Sequence, residues 1–318
     1  MNKTLVWLLA LVVCAWTPLA AAQAYPSKPI KLIVPYPPGG NTDIVARIFG
    51  AKLSERLGQP IVYDNRGGAA GRIGAGVAAK SPADGYTLVI GDLGTLVIAS
   101  FADPNLQYSP TKDFAPISLV TSVSIVVTAN PDFPVNTFPE FLARARANPG
   151  KLTYATGGAG GPGHLAFEML RSMAKIDIVH VPYKGGAPAI VDTIGGRVDV
   201  LVDGSAFGQL KGGKLKALAV TGPRLPALPD VPGIGESVPG FNFTNWWGFL
   251  APAGTPPDVV AKLSQAVSDA VKSPEVTGKF NELGIIPVGN SSEQAAAFLR
   301  DEVAKWGKVI RTAGVKAD

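Results

Sequence analysis

The chain has 318 residues, a formal net charge of +5, two histidines and one cysteine, Cys14. One cysteine excludes an internal disulfide and a thiolate metal site, and two histidines are too few for a histidine-rich metal site. The 29 basic residues are scattered along the chain, which excludes the usual pattern of nucleic-acid binding.

The N-terminal segment has the pattern of an export signal. Lys3 precedes an apolar run over 5–13 that is too short to cross a bilayer, and Ala22-Gln23-Ala24 fits cleavage after small residues. We therefore predict a signal peptide over 1–24, cleaved after about Ala24, and a periplasmic protein. The alternative is a lipoprotein anchored through Cys14, which the bulky Val13 before it disfavours.

Strand and helix patterns alternate in the first part of the mature chain. The helix predicted over 43–57 is expected to pack through Ile44, Ile48 and Leu57. This alternation predicts an α/β fold with a doubly wound parallel sheet. The predicted elements are strand 30–34, helix 43–57, strand 60–63, helix 73–79 and strand 87–90.

A second α/β unit begins after the extended run 118–129. Thr137 and Glu140 form a capping box that opens its first helix. The runs 118–129 and 243–250 are predicted to be paired crossings between two lobes, which makes them a hinge beside a ligand cleft. The other predicted elements are strand 152–155, helix 165–173, strand 178–181, helix 189–194, strands 198–202 and 215–220, and helices 258–272 and 291–312.

The turn over 35–40 lies between a predicted strand and a predicted helix. Gly39 and Gly40 leave backbone N–H groups uncovered there, and the helix dipole adds partial positive charge. Such a turn suits a carboxylate without any lysine or arginine. A single glycine turn is more often only a chain reversal, so the other turns decide the interpretation.

Three further turns follow strands in the second unit, over 156–164, 182–189 and 202–205. Several such turns at strand ends fit the ligand crevice of open α/β sheets. The first of them has G-x-G-x-x-G spacing, but no acid follows the next strand, as a dinucleotide site requires. We therefore predict no cofactor.

The chain lacks the sequence signatures of a nucleophilic enzyme. No serine is flanked by glycines at −2 and +2. An exported hydrolase using His164 is the rival hypothesis, although an imidazole packed at a helix start is the favoured interpretation of that residue. His180 is predicted to lie in the core, and Trp246-Trp247 to pack in a crossing strand rather than stack on a ligand.

Six motifs, taken in order, resemble the Bug family of periplasmic solute-binding proteins, the receptors of tripartite tricarboxylate transporters. The resemblance extends over the whole mature chain. The motifs are PYPPGGNTD at 35–43, NRGGAAGRIGA at 65–75, SPADGYTL at 81–88, TGGAGGPGHLAFE at 156–168, VPYKGGAPAI at 181–190 and GFLAPAGTP at 248–256.

This resemblance implies a two-lobe Venus-flytrap fold of the type II-like class and no catalysis. It implies a receptor that closes on a small organic carboxylate and delivers it to a membrane permease. The implied ligand-binding residues of the first lobe are Tyr36, Pro38, Gly39, Gly40, Asp43, Gly91, Asp92, Leu93 and Thr95. Those of the second lobe are Thr156, Gly160, Gly161, Gly163, His164, Tyr183, Gly185, Gly186, Ala187 and Asp203.

Several expectations follow for the organisation of the protein. We expect lobe 1 to comprise 25–122 and 248–318, and lobe 2 to comprise 123–247. We also expect a monomer, and a sensor kinase is an alternative partner to the permease. Asp43, Asp92 and Asp203 are expected to brace glycine turns or to accept a ligand donor. If Asp92 faces the cleft, it would repel a second ligand carboxylate or pair with an amine.

Overall fold

A computed structural model describes residues 25–39, 41–159, 161–183, 185–282 and 284–313. The predicted signal segment, Gly40 and Gly160 therefore lie outside the described residues. The described chain forms two mixed sheets flanked by helices. No helix within these ranges is long and apolar enough to span a membrane.

Eleven strands are assigned within the described residues. They are β1 (Ile30–Val34), β2 (Ile61–Asn65), β3 (Thr87–Asp92), β4 (Phe114–Val123), β5 (Val126–Ala129), β6 (Thr153–Thr156), β7 (Val179–Pro182), β8 (Val200–Val202), β9 (Lys216–Val220), β10 (Asn245–Pro252) and β11 (Ile286–Pro287).

Ten α-helices are assigned in the same part of the chain, together with a π-helical turn at Leu93–Ile98. They are α1 (Asn41–Leu57), α2 (Arg72–Ala79), α3 (Ala99–Ala102), α4 (Phe138–Ala147), α5 (Pro162–Ala174), α6 (Gly186–Ile194), α7 (Phe207–Lys211), α8 (Pro257–Val271), α9 (Pro274–Glu282) and α10 (Ser292–Ala313).

The two sheets share one plan. The first has the order β11-β4-β10-β3-β1-β2 and the second β7-β6-β8-β5-β9. In each sheet a central strand, β1 or β6, pairs in parallel with the next two strands of its unit, and an antiparallel strand follows. Parallel strands present their carboxyl ends, and the turns after them, at one edge of the sheet. We call the units built on these sheets the first and second lobes.

Two chain segments cross between the lobes, as predicted. The run expected over 118–129 is divided into β4 in the first sheet and β5 in the second, and the return crossing leads from β9 into β10. The crossings are hydrogen-bonded, because Ile125 N donates to Thr221 Oγ1 and Thr221 N donates to Ile125 O, each at 2.9 Å. Strands β2 and β7 lie at the opposite edges of their sheets, far from these crossings.

The face through which α1 packs was predicted wrongly. The helix buries Val45, Phe49 and Leu53 against the first sheet, and the Phe49 ring lies 5.1 Å from that of Phe280. Ile44 is 39% exposed instead. The sequence pattern is ambiguous because α1 carries apolar residues on more than one face, and Ile44 faces a cavity described below.

The tandem tryptophans lie in the crossing strand β10, as predicted, and point to opposite sides of the sheet. Trp246 is 2% exposed and donates from Nε1 to Glu302 Oε2 of α10 at 3.0 Å. Trp247 is 5% exposed and donates from Nε1 to Thr42 Oγ1 of α1 at 2.9 Å. Alternation along the strand thus ties β10 to a helix on each face.

Candidate functional site

Asp43 organises the turn that follows β1. Its Oδ2 accepts hydrogen bonds from Gly39 N and Arg47 Nε, both at 2.9 Å, and its Oδ1 accepts one from Asn65 Nδ2 at 3.0 Å. The side chain is 3% exposed, and the hydrogen bond from Arg47 lowers the pKa of the carboxyl to about 2. The prediction that Gly39 leaves its N–H uncovered was therefore wrong, because this N–H is bonded within the turn and Asp43 fixes the shape of the turn.

Close backbone packing holds the same turn from the other side. Gly39 has a positive φ of 84°, which favours glycine at this position. A Cβ on Gly74 of α2 would come within 2.8 Å of the Pro35 Cα. Tyr36 is half-buried behind the turn, and Pro38 is exposed. The strand end and α2 are therefore closely packed against each other beside the turn.

Asp92 lies inside the loop that follows β3 and is 7% exposed. It caps the π-helical turn, where Oδ1 accepts from Thr95 N at 2.8 Å and from Thr95 Oγ1 at 2.9 Å. Burial raises the pKa of Asp92, while hydrogen bonds from Thr95 and Tyr36 oppose the shift. Of its two expected roles, the geometry matches bracing the loop.

The residues around Asp92 are also mostly buried. Gly91, Leu93 and Thr95 are buried, while Gly94 is partly exposed. A contact between this loop and a ligand would therefore involve the backbone near Gly94. Gly94 lies between Leu93 and Thr95, two of the residues that the resemblance implied.

A stack of aromatic rings lies behind the glycine turn of the second lobe. The rings of His164 and His180 are parallel at 4.0 Å, and that of Tyr154 follows at 4.7 Å from His180. His180 Nε2 and Thr156 Oγ1 share a hydrogen bond of 2.7 Å. His180 is thus half-buried at the edge strand β7 and not in the core, so that prediction was wrong.

Glu168 is the acidic neighbour that sequence reasoning failed to assign to His164. It lies one helical turn along α5, with Oε1 3.8 Å from His164 Nε2. The same oxygen accepts hydrogen bonds from Tyr154 Oη and from Arg171 Nη1, both at 2.7 Å. The spacing of four residues on a helix was the available signal. Because Glu168 Oε1 already accepts two hydrogen bonds, Glu168 is better suited to hold Tyr154 and Arg171 in place than to act as a general base.

The pKa of His180 gives a testable pH dependence. Burial, reinforced by the neighbouring His164, lowers the pKa of His180 from 6.5 to about 4. Between pH 6.5 and pH 4 the imidazole of His180 binds a proton in the unfolded chain but not in the folded protein. The free energy of unfolding should therefore fall as the pH decreases over this range. His180→Gln should reduce this fall by about 1–2 kcal/mol, since solvent partly screens the ring.

Urea unfolding of both proteins between pH 4 and pH 7.5 measures the effect. The two curves should converge toward acidic pH, because the glutamine variant has no group at this position to protonate. Parallel curves over this pH range would contradict the assignment of the slope to His180.

Asp203 occupies the space between two glycine turns of the second lobe. Its Oδ1 accepts from Ser205 N at 2.9 Å and from Ser205 Oγ at 2.5 Å. A Cβ on Gly157 would lie 2.7 Å from Asp203 Oδ2, and one on Gly186 would lie 2.8 Å from Asp203 Oδ1. Both positions therefore require glycine for this approach. Asp203 joins the turn after β6, the start of α6 and the turn after β8.

The remaining predicted residues of the second lobe lie at the starts of α5 and α6. Gly161 is the N-cap of α5, and Gly163 lies in its first turn. Gly185 is the N-cap of α6, with Gly186 and Ala187 in its first turn. The first amides of a helix have no intrahelical acceptor, so both starts can donate to an anion.

The phenol of Tyr183 is turned to a different partner. Its Oη donates to Asp192 Oδ2 at 2.8 Å, and Asp192 also accepts from Arg197 Nη1 at 2.6 Å. Tyr183 N donates to Thr156 O at 3.0 Å, which ties the two glycine turns together. The structure thus gives Tyr183 a bracing contact on α6.

A cavity of about 300 Å³ lies between the lobes. Asn41 and Ile44, in the first turn of α1, line it from the first lobe, and Gly204 and Ser205, in the turn after β8, line it from the second. Trp247 from the crossing strand also lines it. The structure therefore brings the regions of two predicted anion turns, more than 150 residues apart in sequence, around one space.

None of the described residues that line this cavity is among the predicted ligand-binding residues, although Asn41 and Gly204 directly follow two of them in sequence. The lining residues include Val123 before the crossing, Phe207 of α7 and Ile285 before β11. No local motif distinguishes them from core residues. The useful signals were Phe207, which follows the predicted Asp203 turn directly, and Ile44, which follows the Gly39 turn.

Two lobes, two crossings and an interlobe cavity, lined by the start of α1 and the turn after β8, form the architecture of a solute-binding protein. A family model described as the tripartite tricarboxylate transporter family receptor matches residues 45–315. The chain belongs to this family, whose members are periplasmic substrate-binding receptors and not enzymes.

Relatives of known structure and name resemble the chain over nearly its whole length. Protein BugT of Bordetella pertussis is 35% identical over 93% of this chain and 92% of its own. Rpa4515 of R. palustris, solved with adipate, is 36% identical, with a TM-score of 0.79 over 92% of this chain and 99% of its own. MatC of Rhodopseudomonas palustris, solved with bound malate, is 34% identical, with a TM-score of 0.73 over 90% of this chain and 100% of its own.

Proposed function

We propose that this protein captures one small organic carboxylate between its lobes in the periplasm and delivers it to the permease of a tripartite tricarboxylate transporter. The observation that carries the proposal is the interlobe cavity, which Asn41 borders from one lobe and Ser205 from the other. The relatives solved with adipate and malate support a carboxylate as the ligand class.

The binding logic rests on backbone groups. The starts of α1, α5 and α6 supply amides without intrahelical acceptors, and the helix dipoles add partial positive charge. Amides from one lobe alone leave an anion partly in water. Binding between both lobes therefore favours the closed state.

The predicted site residues divide into two roles in this proposal. One group positions the turns, because its polar groups are already bonded within their own lobes. It comprises Tyr36, Gly39, Asp43, Asp92, Thr156, Tyr183 and Asp203. The proposed ligand contacts are the turn and helix-start residues Pro38, Gly40, Gly94, Gly160, Gly161, Gly163, His164, Gly185, Gly186 and Ala187.

The proposal also covers the processing, the oligomeric state and the lobe boundaries of the receptor. We propose that the leader over 1–24 is removed on export and that the mature protein acts as a monomer. Lobe 1 would comprise 25–122 and 248–318, and lobe 2 would comprise 123–247, so that each lobe keeps its own sheet and the crossings act as the hinge.

Titration calorimetry of the mature protein against a panel of carboxylates tests the proposal. One site per chain is expected for at least one carboxylate, and the uncharged amide of the same compound should bind at least tenfold more weakly. The recovered ligand should be chemically unchanged. Absence of heat across the panel, or equal binding of acid and amide, would contradict a carboxylate receptor.

A further inference from the structure

The interlobe cavity has an apolar lining. Ile44 and Val45 of α1 line it from the first lobe, and Phe207 of α7 lines it from the second. Beside it the lobes touch, because a Cβ placed on Gly284 would lie 3.1 Å from the Phe207 ring. Val123 and Ile285 add further apolar surface.

The one ionisable group among the described residues of this lining does not favour an anion. The indole nitrogen of Trp247 already donates to Thr42, so the remainder of the ring adds apolar surface to the cavity. Glu282 is the one ionisable residue among the described residues of the lining. An acid at this place disfavours a second carboxylate in the cavity through like-charge repulsion.

The cavity also continues the proposed carboxylate site. Asn41, the first residue of α1, lines the cavity and lies directly after the Gly39 turn region, and Ser205 lines it while donating to Asp203. A molecule with its carboxylate at these turns can therefore extend into the apolar space. Ile44, which is 39% exposed, would lose contact with water when such a molecule binds.

We propose that this cavity holds the apolar body of the ligand, so that the preferred ligand is a monocarboxylate with an alkyl chain or aromatic ring. The inference rests on the proposed function and adds the chemical class of the ligand. An apolar cavity of roughly 150 Å³ accommodates benzene. The cavity of about 300 Å³ therefore has room for a ring or for a chain of several methylenes.

Calorimetry with butyrate, hexanoate, phenylacetate and adipate separates the possibilities. The two extra methylenes of hexanoate should raise its affinity about tenfold over butyrate. Adipate has the length of hexanoate but a second carboxylate, and it should bind more weakly than hexanoate. Glu282→Gln should raise the affinity for adipate about two- to fivefold and leave that for hexanoate unchanged.

A variant that fills the cavity provides the direct test. Gly208 of α7 lines the cavity and a Cβ on it meets nothing within 4 Å, so we expect the larger side chain of Gly208→Leu to extend into the cavity. It should lower the affinities for hexanoate and phenylacetate about tenfold and that for butyrate less than threefold, with Gly208→Ala as the size control. Ile44→Ser, at an exposed position, should weaken hexanoate binding without affecting butyrate.

The outcomes separate this inference from the proposed function. If carboxylates bind but adipate binds more tightly than hexanoate, or if Gly208→Leu weakens all four equally or none, the apolar subsite is overturned and the receptor function stands. If none of the carboxylates in this series or in the wider panel binds, both are overturned. If hexanoate binds more tightly than butyrate and adipate, and Gly208→Leu selectively removes this preference, the result supports both the apolar subsite and the receptor function.

Discussion

Gly163→Ala is expected to weaken carboxylate binding more than tenfold and to lower the free energy of unfolding by about 1–3 kcal/mol. An added Cβ would overlap the carbonyl oxygen of Val202 and lie 3.1 Å from its carbonyl carbon. Both groups are backbone, so neither can rotate away. The start of α5 must therefore move from the end of β8, and its amides leave the proposed site.

Gly278→Ala is the matched control for this variant. A Cβ at Gly278 in α9 meets nothing within 4 Å, so this change should raise the free energy of unfolding by about 0.5–1 kcal/mol and leave binding unaffected. Urea unfolding and calorimetry measure both quantities. Native affinity in Gly163→Ala would show that the start of α5 is not part of the site.

Asp43→Asn is expected to cost about 2–3 kcal/mol of stability at neutral pH and about tenfold in carboxylate affinity. The carboxylate accepts from Gly39 N, Arg47 and Asn65, whereas an amide supplies only one acceptor oxygen. At least one of these donors then loses its partner. The turn that Asp43 shapes becomes less ordered.

The pH dependence of the free energy of unfolding provides a second test of the role of Asp43. The pKa of Asp43 is lowered from 3.8 to about 2, so the folded protein binds fewer protons than the unfolded chain in this range. The stabilisation is complete above pH 3.8 and is lost as the pH falls to 2, by about 1–2 kcal/mol because Arg47 is half-exposed. Unfolding curves of wild type and Asp43→Asn should converge over this interval, and parallel curves would contradict the assignment.

The alternation of strands and helices could be predicted from the local sequence. The run over 30–34 coincides with β1, since a short apolar run bounded by proline and glycine has few alternatives. Short elements such as α7 and β11 were missed. Two to five residues carry no periodicity, and tertiary contacts such as that of Phe207 with Gly284 determine their structure.

The site could be predicted only in part. Glycine turns after strands are local features, so their positions followed from the sequence. The hydrogen-bond donors to Asp43 and Asp92 could not be predicted, because a carboxylate beside a glycine turn can equally brace the turn or face a ligand. The interlobe cavity joins Ile44, Val123 and Trp247, and only the crossing topology brings these distant positions together.

Closure of the lobes around a carboxylate is the central claim. Val62 in β2 is 50% exposed and Val179 in β7 is 46% exposed, and these strands form the sheet edges farthest from the crossings. Cysteines substituted at these two positions can carry spin labels in a protein that begins at Tyr25, because the one native cysteine, Cys14, lies in the proposed leader over 1–24. Pulsed dipolar spectroscopy should show a shorter and narrower distance distribution when a carboxylate that binds in calorimetry is added. An unchanged distribution at saturating ligand would contradict capture between the lobes.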